Sequence, residues 1–337
     1  MNIALDAMGG DHAPDVNLLG AKAALARNPE IKELLLTGPA DFLRREAEKL
    51  GLSDSRLSYI DAPETISMGE SGARAVRRKK KSSICVAADL VKQGDAEAFI
   101  SAGNTGAAVA AASIKLRMLK GVSRAGIASP MPNEHGVCNL LDAGANPEAK
   151  PEHLLQYAIM GSVYAREVLK VDFPHVGLMS NGEEDEKGTT LTKETLQLLR
   201  AFTAENDSLF HFRGNVEGHD LFQTRLDVCL CDGFTGNVVL KSCEATAKAM
   251  SKWLKEAFKA NTLRMAGGLL GKGAFQAVRD RTNYETYGGS PLLGVNGVVI
   301  IAHGGSSATA IENAVLMGAR AVKHEINPKI EEALATL

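Results

Sequence analysis

Seven times along this chain, an apolar and largely β-branched run ends in a short cluster rich in Gly, Asn and Asp, and a helical pattern begins soon after. The junctions are Asp6-Ala-Met-Gly-Gly-Asp11, Ser101-Ala-Gly-Asn-Thr-Gly106, Asp142-Ala-Gly-Ala-Asn146, Asn181-Gly-Glu-Glu-Asp-Glu-Lys-Gly188, Gly214-Asn-Val-Glu-Gly218, Asp232-Gly-Phe-Thr-Gly-Asn237 and His303-Gly-Gly-Ser-Ser307. Strand followed by helix, repeated, predicts an α/β fold with a mostly parallel sheet and helices on both faces. Ligands of such sheets sit outside the carboxyl ends of the strands. All seven clusters are therefore expected on one edge, where free amides, glycines and helix starts suit an anion.

With 337 residues, 45% hydrophobic and 23% charged, the chain has ample material for a large core. It reads as a single α/β catalytic unit over residues 1–337, with an excursion over residues 259–290. Net charge is −2 and aromatics make up 5%, which argues against a nucleic-acid partner. The N-terminus enters a strand directly, without a basic n-region, and no run of 18 apolar residues occurs. Five cysteines, an odd number, fit a reducing cytoplasm. Cys229 and Cys231 share a strand face and read as core, because zinc needs wider spacing and a second pair.

The pattern predicts strands over 2–6, 33–37, 57–61, 98–101, 137–142, 176–181, 209–213, 228–231 and 298–302. Helices are predicted over 14–27, 39–49, 69–81, 83–92, 104–117, 151–169, 189–204, 235–258 and 306–322. The stretch 104–117 is apolar all round and should be central. From Lys259 to Pro291 the pattern breaks down into glycines, exposed apolar positions (Leu263, Met265, Leu269, Leu270, Phe275, Val278) and interleaved Arg264, Lys272 and Arg279.

Each cluster has two readings. The small residues of Ser101–Gly106, with Gly103, Thr105 and Gly106, let backbone N–H groups approach a phosphate at a helix start. The same stretch is also an ordinary β–α turn with Asn104 or Thr105 as N-cap. Asp6 and Asp11 flank the Gly9-Gly10 pair, and Asp6 ends a strand with no capping duty. The acidic loop 181–188 reads as solvated. Metal is the weaker reading there, and Lys187 can reach an anion. Asn237 and Lys241 lie one turn apart on one helix face and can point together at a ligand. His303 is the best-placed titratable group. Arg77–Lys81, the one dense basic run, suits an acidic partner or an anionic membrane. No G-x-S-x-G elbow or Cys-His pairing supports a covalent mechanism.

Taken together, Asp6–Asp11, Ser101–Gly106, Asp142-x-Gly-Ala-Asn146, Lys150-Pro-Glu-His153, Gly214–Glu217, Cys231–Phe234 with Gly236-Asn237, Pro291–Gly297 and His303-Gly-x-Ser306 resemble the bacterial phosphate acyltransferases of phospholipid synthesis. The likeness runs from Met1 to about the last helix. Gly305 stands where the family often has serine, and Tyr287 where phenylalanine is common.

The resemblance implies a fold similar to phosphotransacetylases and the isocitrate and isopropylmalate dehydrogenases. It also implies a homodimer, cytoplasmic and peripheral at an anionic membrane surface. The implied reaction moves a long acyl group from acyl carrier protein to inorganic phosphate. Its product would pass to a downstream membrane glycerol-3-phosphate acyltransferase. No cofactor or metal is expected. Catalytic roles, inferred here from the clusters, fall to Asn104, Lys187, Asn237, Lys241 and His303. Substrate-binding roles fall to Asp6, Gly9, Gly10, Asp11, Ser101, Gly103, Thr105, Gly106, Asp142, Asn146, Asn215, Glu217, Asp232, Asn296 and Ser306. Membrane contact is expected at Leu263, Leu269, Leu270 and Phe275.

The chemistry suits such clusters independently. Phosphate is already an anionic nucleophile, and the leaving thiol has a pKa of roughly 8.5. The protein need only hold phosphate in line and stabilise the oxyanion. The alternatives are a soluble phosphotransacylase using short acyl-CoA, a non-catalytic membrane or carrier-protein adaptor, and a decarboxylating dehydrogenase. The apolar excursion speaks against the first and the density of polar strand ends against the second. The third lacks a cofactor fingerprint.

Overall fold

The computed structural model describes residues 1–206, 208–282, 287–335 and 337. One eleven-stranded sheet organises them, in the order β3-β2-β1-β4-β11-β10-β5-β6-β9-β7-β8. The first lobe comprises β1 (Asn2–Asp6), α1 (Asp15–Arg27), β2 (Glu33–Gly38), α2 (Ala40–Lys49), β3 (Leu57–Asp61), α3 (Gly72–Arg78), α4 (Ser83–Gln93), β4 (Ala98–Ser101) and α5 (Thr105–Ala111). A π-helical turn, Ala112–Leu116, extends α5. The second lobe follows with β5 (Gly126–Asn133), β6 (Gly136–Leu141), α6 (Pro151–Glu167), β7 (His175–Met179), α7 (Thr190–Glu205), β8 (His211–Val216), α8 (Asp220–Gln223) and β9 (Val228–Leu230). Then come α9 (Gly233–Lys259), α10 (Thr262–Leu270), α11 (Lys272–Thr282), β10 (Ser290–Leu293), β11 (Val298–Ile301), α12 (Ala308–Lys323) and α13 (Ile326–Leu334).

Strand side chains alternate between two buried faces, as a sheet covered on both sides requires. Ile3, Leu5, Ile100 and Ile300 join the core beneath α1, α6, α12 and α13, whereas Ala4, Phe99 and Val299 face α3, α4 and α5. The alanine-rich α5 is central as its composition predicts, with Ala107, Ala108, Ala110 and Ala111 buried. Cys138, Cys229 and Cys231 belong to the core under α8 and the start of α9, where burial pushes their thiols well up.

The sheet corrects the expectation of a single ligand edge. β3, β2, β1, β4 and β11 run parallel to one another, as do β6, β9, β7 and β8. Between the two sets lie three antiparallel steps: β11 to β10, β10 to β5 and β5 to β6. An odd number of reversals points the carboxyl ends of the two sets to opposite edges. Three of the seven clusters, at Asp6, Ser101 and His303, share one edge, and the other four share the other. Hydrophobic period reveals a strand but carries no sense of direction, and two of the three reversing strands were absent from the predicted list.

β5 was hidden by Pro130 and Pro132, which ordinarily exclude a central strand. The two prolines are two residues apart, so their missing N–H groups fall on the same side. On that side β10 has already ended, after pairing with Gly126 and Ile127. α13 was missed beside Pro328, which sits in the first turn where no helical hydrogen bond is lost.

Candidate active site

At the edge formed by β1, β4 and β11, Asp6 is the buried keystone. Its carboxylate accepts from Ser101 Oγ at 2.7 Å and from the Met8 N–H at 3.3 Å. Ser101 Oγ in turn accepts from the Gly103 N–H at 3.1 Å. Burial pushes the Asp6 carboxyl above its ordinary range, against hydrogen bonds that favour the anion. A Cβ on Gly9 would stand 2.7 Å from both Asp6 Oδ2 and the Gly103 nitrogen, so only glycine lets the two turns meet. Gly10 lies against the Gly304 carbonyl, which accepts from the Asp11 N–H at 2.8 Å. Asp11 is exposed and does not cap α1, whose N-cap is Pro14.

Asn104 is N-cap of α5, and its side chain is fully engaged by protein. Oδ1 accepts from the Ala107 N–H at 2.9 Å, and Nδ2 donates to the Ser67, Met68 and Glu70 carbonyls at 3.2, 3.0 and 2.8 Å. The capping reading thus describes its side chain. Thr105 and Gly106 stay exposed in the first turn, whose N–H groups have no partner within the helix. The 67–70 loop is tied down in turn. Glu70 accepts from Lys79 Nζ at 2.7 Å and from the Ser67 N–H at 2.9 Å, which lowers its carboxyl to about 2.

His303 stands at the end of β11. The Gly305 N–H donates to its Nδ1 at 3.0 Å, which in the neutral ring leaves the proton on Nε2. Nε2 faces Glu244 Oε2 at 3.8 Å, and Lys241 Nζ donates to the same oxygen at 2.9 Å. Burial lowers the His303 pKa, and Glu244 opposes it. Ser306 is buried, its N–H donating to the His303 carbonyl at 2.9 Å. Sequence reasoning found Lys241 and His303 but missed Glu244. Its signal was the three-residue spacing from Lys241 on one helix face.

The second set of strands builds its own turns. Asp142 accepts from the Ile127, Gly144, Ala145 and Asn146 N–H groups, at 2.6 to 3.0 Å, while burial pushes its carboxyl up. Asn146 Nδ2 lies 3.3 Å from His153 Nδ1, and its carbonyl accepts from the Gly233 N–H at 3.0 Å. Asp232 caps α9 through the Thr235 N–H and hydroxyl, at 2.9 and 2.8 Å. Gly236 brings the first turn of α9 onto the Asp142 carbonyl, which a Cβ would approach to 1.9 Å. Asn237 is exposed beside Gly144. α9 thus begins among the Asp142 turns and, about two and three turns on, presents Lys241 and Glu244 to His303 on the other lobe.

Lys187, Asn215 and Glu217 form a third group, at the ends of β7 and β8. Asn215 lies inside β8 and donates to the Glu184 carbonyl at 2.9 Å. Glu217 takes the Asp220 carboxylate on its N–H at 2.8 Å, and Lys187 is exposed. Glu183, His219 and Asp220 bring ligand atoms within 4.8 Å of one another, a grouping with cation-binding composition. Asn296 joins none of these groups. It is exposed on the turn into β11, at the amino end of that strand and away from His303.

α9 buries only Gly233 and Gly236, so the excursion begins inside this helix. Phe258 of α9 meets Phe275 of α11 edge to face, centroids 4.9 Å apart, and Gly268 of α10 lies against Phe258. Leu263, Leu269 and Leu270 are 82%, 75% and 90% exposed, whereas Phe275 pins the arm together. Among the described residues no helix is long and apolar enough to cross a membrane.

Residues 1–329 match the fatty acid synthesis protein family. The chain is 56% identical over 337 residues to a phosphate acyltransferase of Akkermansia muciniphila, covering 100% of this chain and 97% of the relative. It is 44% identical over 336 residues to a phosphate acyltransferase of Geobacter sulfurreducens, covering 100% and 95%. In fold it is similar to EutD phosphotransacetylase from Staphylococcus aureus, with TM-score 0.60, 17% identity and 96% and 94% coverage. It is likewise similar to a phosphotransacetylase from Streptococcus pyogenes, with TM-score 0.62, 17% identity and the same coverage. The Asp6, Ser101, Asp142, Asp232 and His303 turns thus sit on a phosphotransacetylase-like scaffold, and the chain belongs to the fatty acid synthesis protein family.

Proposed function

We propose that this chain is a phosphate acyltransferase that moves a long-chain acyl group from acyl carrier protein to inorganic phosphate. The products are acyl phosphate and the carrier thiol. The observation that carries this reading is the joining of two turn-built lobes by α9, which brings Lys241 and Glu244 to His303. The full-length likeness to phosphate acyltransferases supports it.

An oxygen of hydrogen phosphate attacks the thioester carbonyl, the new C–O bond forms, the C–S bond breaks with the electron pair on sulfur, and the phosphate's proton ends on the thiolate, giving the thiol. The chain holds phosphate at the exposed N–H groups of Thr105 and Gly106, with Lys241 and the Nε2–H of His303 supplying positive character. Asp6, Ser101 and Asn104 act by fixing the turns, since their side chains are already bonded to protein. No nucleophilic side chain is needed, because the incoming oxyanion is the nucleophile.

In this reading the enzyme works in the cytoplasm as a homodimer, as one continuous catalytic unit. It rests on an anionic membrane through Leu263, Leu269 and Leu270 and delivers acyl phosphate to a membrane glycerol-3-phosphate acyltransferase. It uses no metal or nucleotide. The test is acyl phosphate and thiol release by metal-depleted protein, with long-chain acyl carrier protein and, separately, short acyl-CoA. Activity on the carrier substrate alone is expected. Strict dependence on a divalent cation would move catalysis to the Glu183, His219 and Asp220 group. Preference for short acyl-CoA would overturn the substrate.

A further inference from the structure

α3 and the turn after it carry a run of cations that the fold does not use. Arg74, Arg77, Arg78, Lys80 and Lys81 are all exposed, and among the described residues no salt bridge joins their side chains to a carboxylate; Glu64 Oε2 accepts from the Lys81 backbone N–H at 3.1 Å. Their neighbour Lys79 is different, being half-buried and locked on Glu70 at 2.7 Å. A helix C-terminus favours one or two cations in its last turn. Five such cations in eight positions exceed that need.

Their place in the fold is specific. α3 packs on α5 where Gly72 meets Gly106. The segment just before α3 supplies the Ser67, Met68 and Glu70 carbonyls that hold Asn104. The Lys79–Glu70 pair then ties the basic end of α3 back to that same segment. The cationic face is therefore built on the inner framework of the Asp6 and Ser101 edge.

We propose that this face, Arg74 to Lys81, is the docking surface for an acidic protein partner, namely the carrier protein that presents the acyl thioester. The inference rests on the acyl-transfer reading above. Charge complementarity between a cationic face and an acidic protein speeds encounter and sets orientation, leaving the chemical step unchanged. Docking here places the thioester arm beside the phosphate turn, and the Ser67–Glu70 segment gives the two a shared, rigid base.

The test compares acyl carrier protein with the same acyl group on pantetheine, which lacks the protein. An Arg77→Glu, Arg78→Glu, Lys80→Glu variant should raise the KM for the carrier substrate tenfold or more. Its kcat, and its kinetics with acyl-pantetheine, should match wild type. An Arg77→Lys, Arg78→Lys variant should retain carrier kinetics. Wild-type kcat/KM should fall steeply with salt for the carrier substrate only. Binding of fluorescently labelled carrier protein, followed by anisotropy, should weaken tenfold in the same variant and gives a readout independent of turnover. An unchanged carrier KM and affinity would overturn the proposal. So would equal loss on both donors, or loss of anionic vesicle binding with carrier kinetics intact, which would assign the face to lipid. Wild-type inactivity on acyl carrier protein, with carrier binding retained, would instead count against the acyl-transfer reading.

Discussion

The Ser101 hydroxyl donates to Asp6 Oδ2 at 2.7 Å across neighbouring strands, with both side chains sealed from solvent. Ser101 then accepts from the Gly103 N–H, so the carboxylate fixes the hydroxyl rotor and the rotor fixes the turn. The chain is short, polar and buried, the setting in which an unsatisfied group is most costly.

Ser101→Ala leaves Asp6 and the Gly103 N–H each short of a partner and should cost about 1–3 kcal/mol in urea unfolding. Asp6 also sets a pH slope. Its native pKa is raised above the unfolded value of 3.8, so the native state holds the proton more tightly. Stability should therefore fall as pH rises from that unfolded value through the native one. Asp6→Asn should flatten this slope. A wild-type urea midpoint that does not vary over the acid range would show that the carboxyl is not perturbed.

Much of this was legible in the sequence. The apolar run at residues 98–101 predicts a strand and forms one, and the alanine-rich stretch after Asn104 is central as its composition demands. Cys229 and Cys231 are core. Strand direction was not legible, because it depends on how many strands separate two others. The N-cap reading of Asn104 holds, but its Nδ2 was not legible, being set by three carbonyls from a loop 34 to 37 positions earlier. Carbonyls belong to every residue, so no side-chain pattern could mark them. Asn296, which motif likeness assigns to the substrate, lies on the turn into β11, at the other end of that strand from His303.

Gly236 is where α9 docks onto the Asp142 turn. A Cβ there would lie 1.9 Å from the Asp142 carbonyl oxygen and 2.9 Å from Cys231 Sγ. Gly236→Ala must lift the helix start or break the turn, at a cost of about 1–3 kcal/mol or more. Because α9 carries Lys241 and Glu244 to His303, activity should fall with thermal stability. A variant with unaltered melting and full activity would show that this contact is looser than drawn.

Glu244 raises the His303 pKa against the larger lowering by burial. In wild type the imidazole should titrate below its ordinary value of about 6.5, leaving it neutral at pH 7. Glu244→Gln removes the opposing anion, so the midpoint should move lower still, and the acid limb of kcat/KM should move with it. Histidine NMR across pH 4–8 reads the first and steady-state kinetics the second. An upward shift, or a wild-type midpoint above 6.5, would mean that Glu244 does not face the ring.

Leu269 and Leu270 are 75% and 90% exposed at the end of α10, and Leu263 at its start is 82% exposed. Side chains so bare seek an apolar phase, and an interfacial helix supplies one by lying in the headgroup boundary. Burying a leucine contributes about 1.5–3 kcal/mol, so a double substitution to glutamate should weaken binding to anionic liposomes at least a hundredfold. Both are largely exposed, and the Phe258–Phe275 ring pair holds the arm together, so the arm should keep its fold. Flotation with anionic vesicles, sedimentation velocity and acyl transfer from soluble carrier protein are measured on Leu269→Glu, Leu270→Glu. The expected result is lost flotation with sedimentation and turnover intact. Dissociation of a wild-type dimer would instead place these leucines between protomers, and unaltered flotation would transfer the membrane contact to another face of the protein.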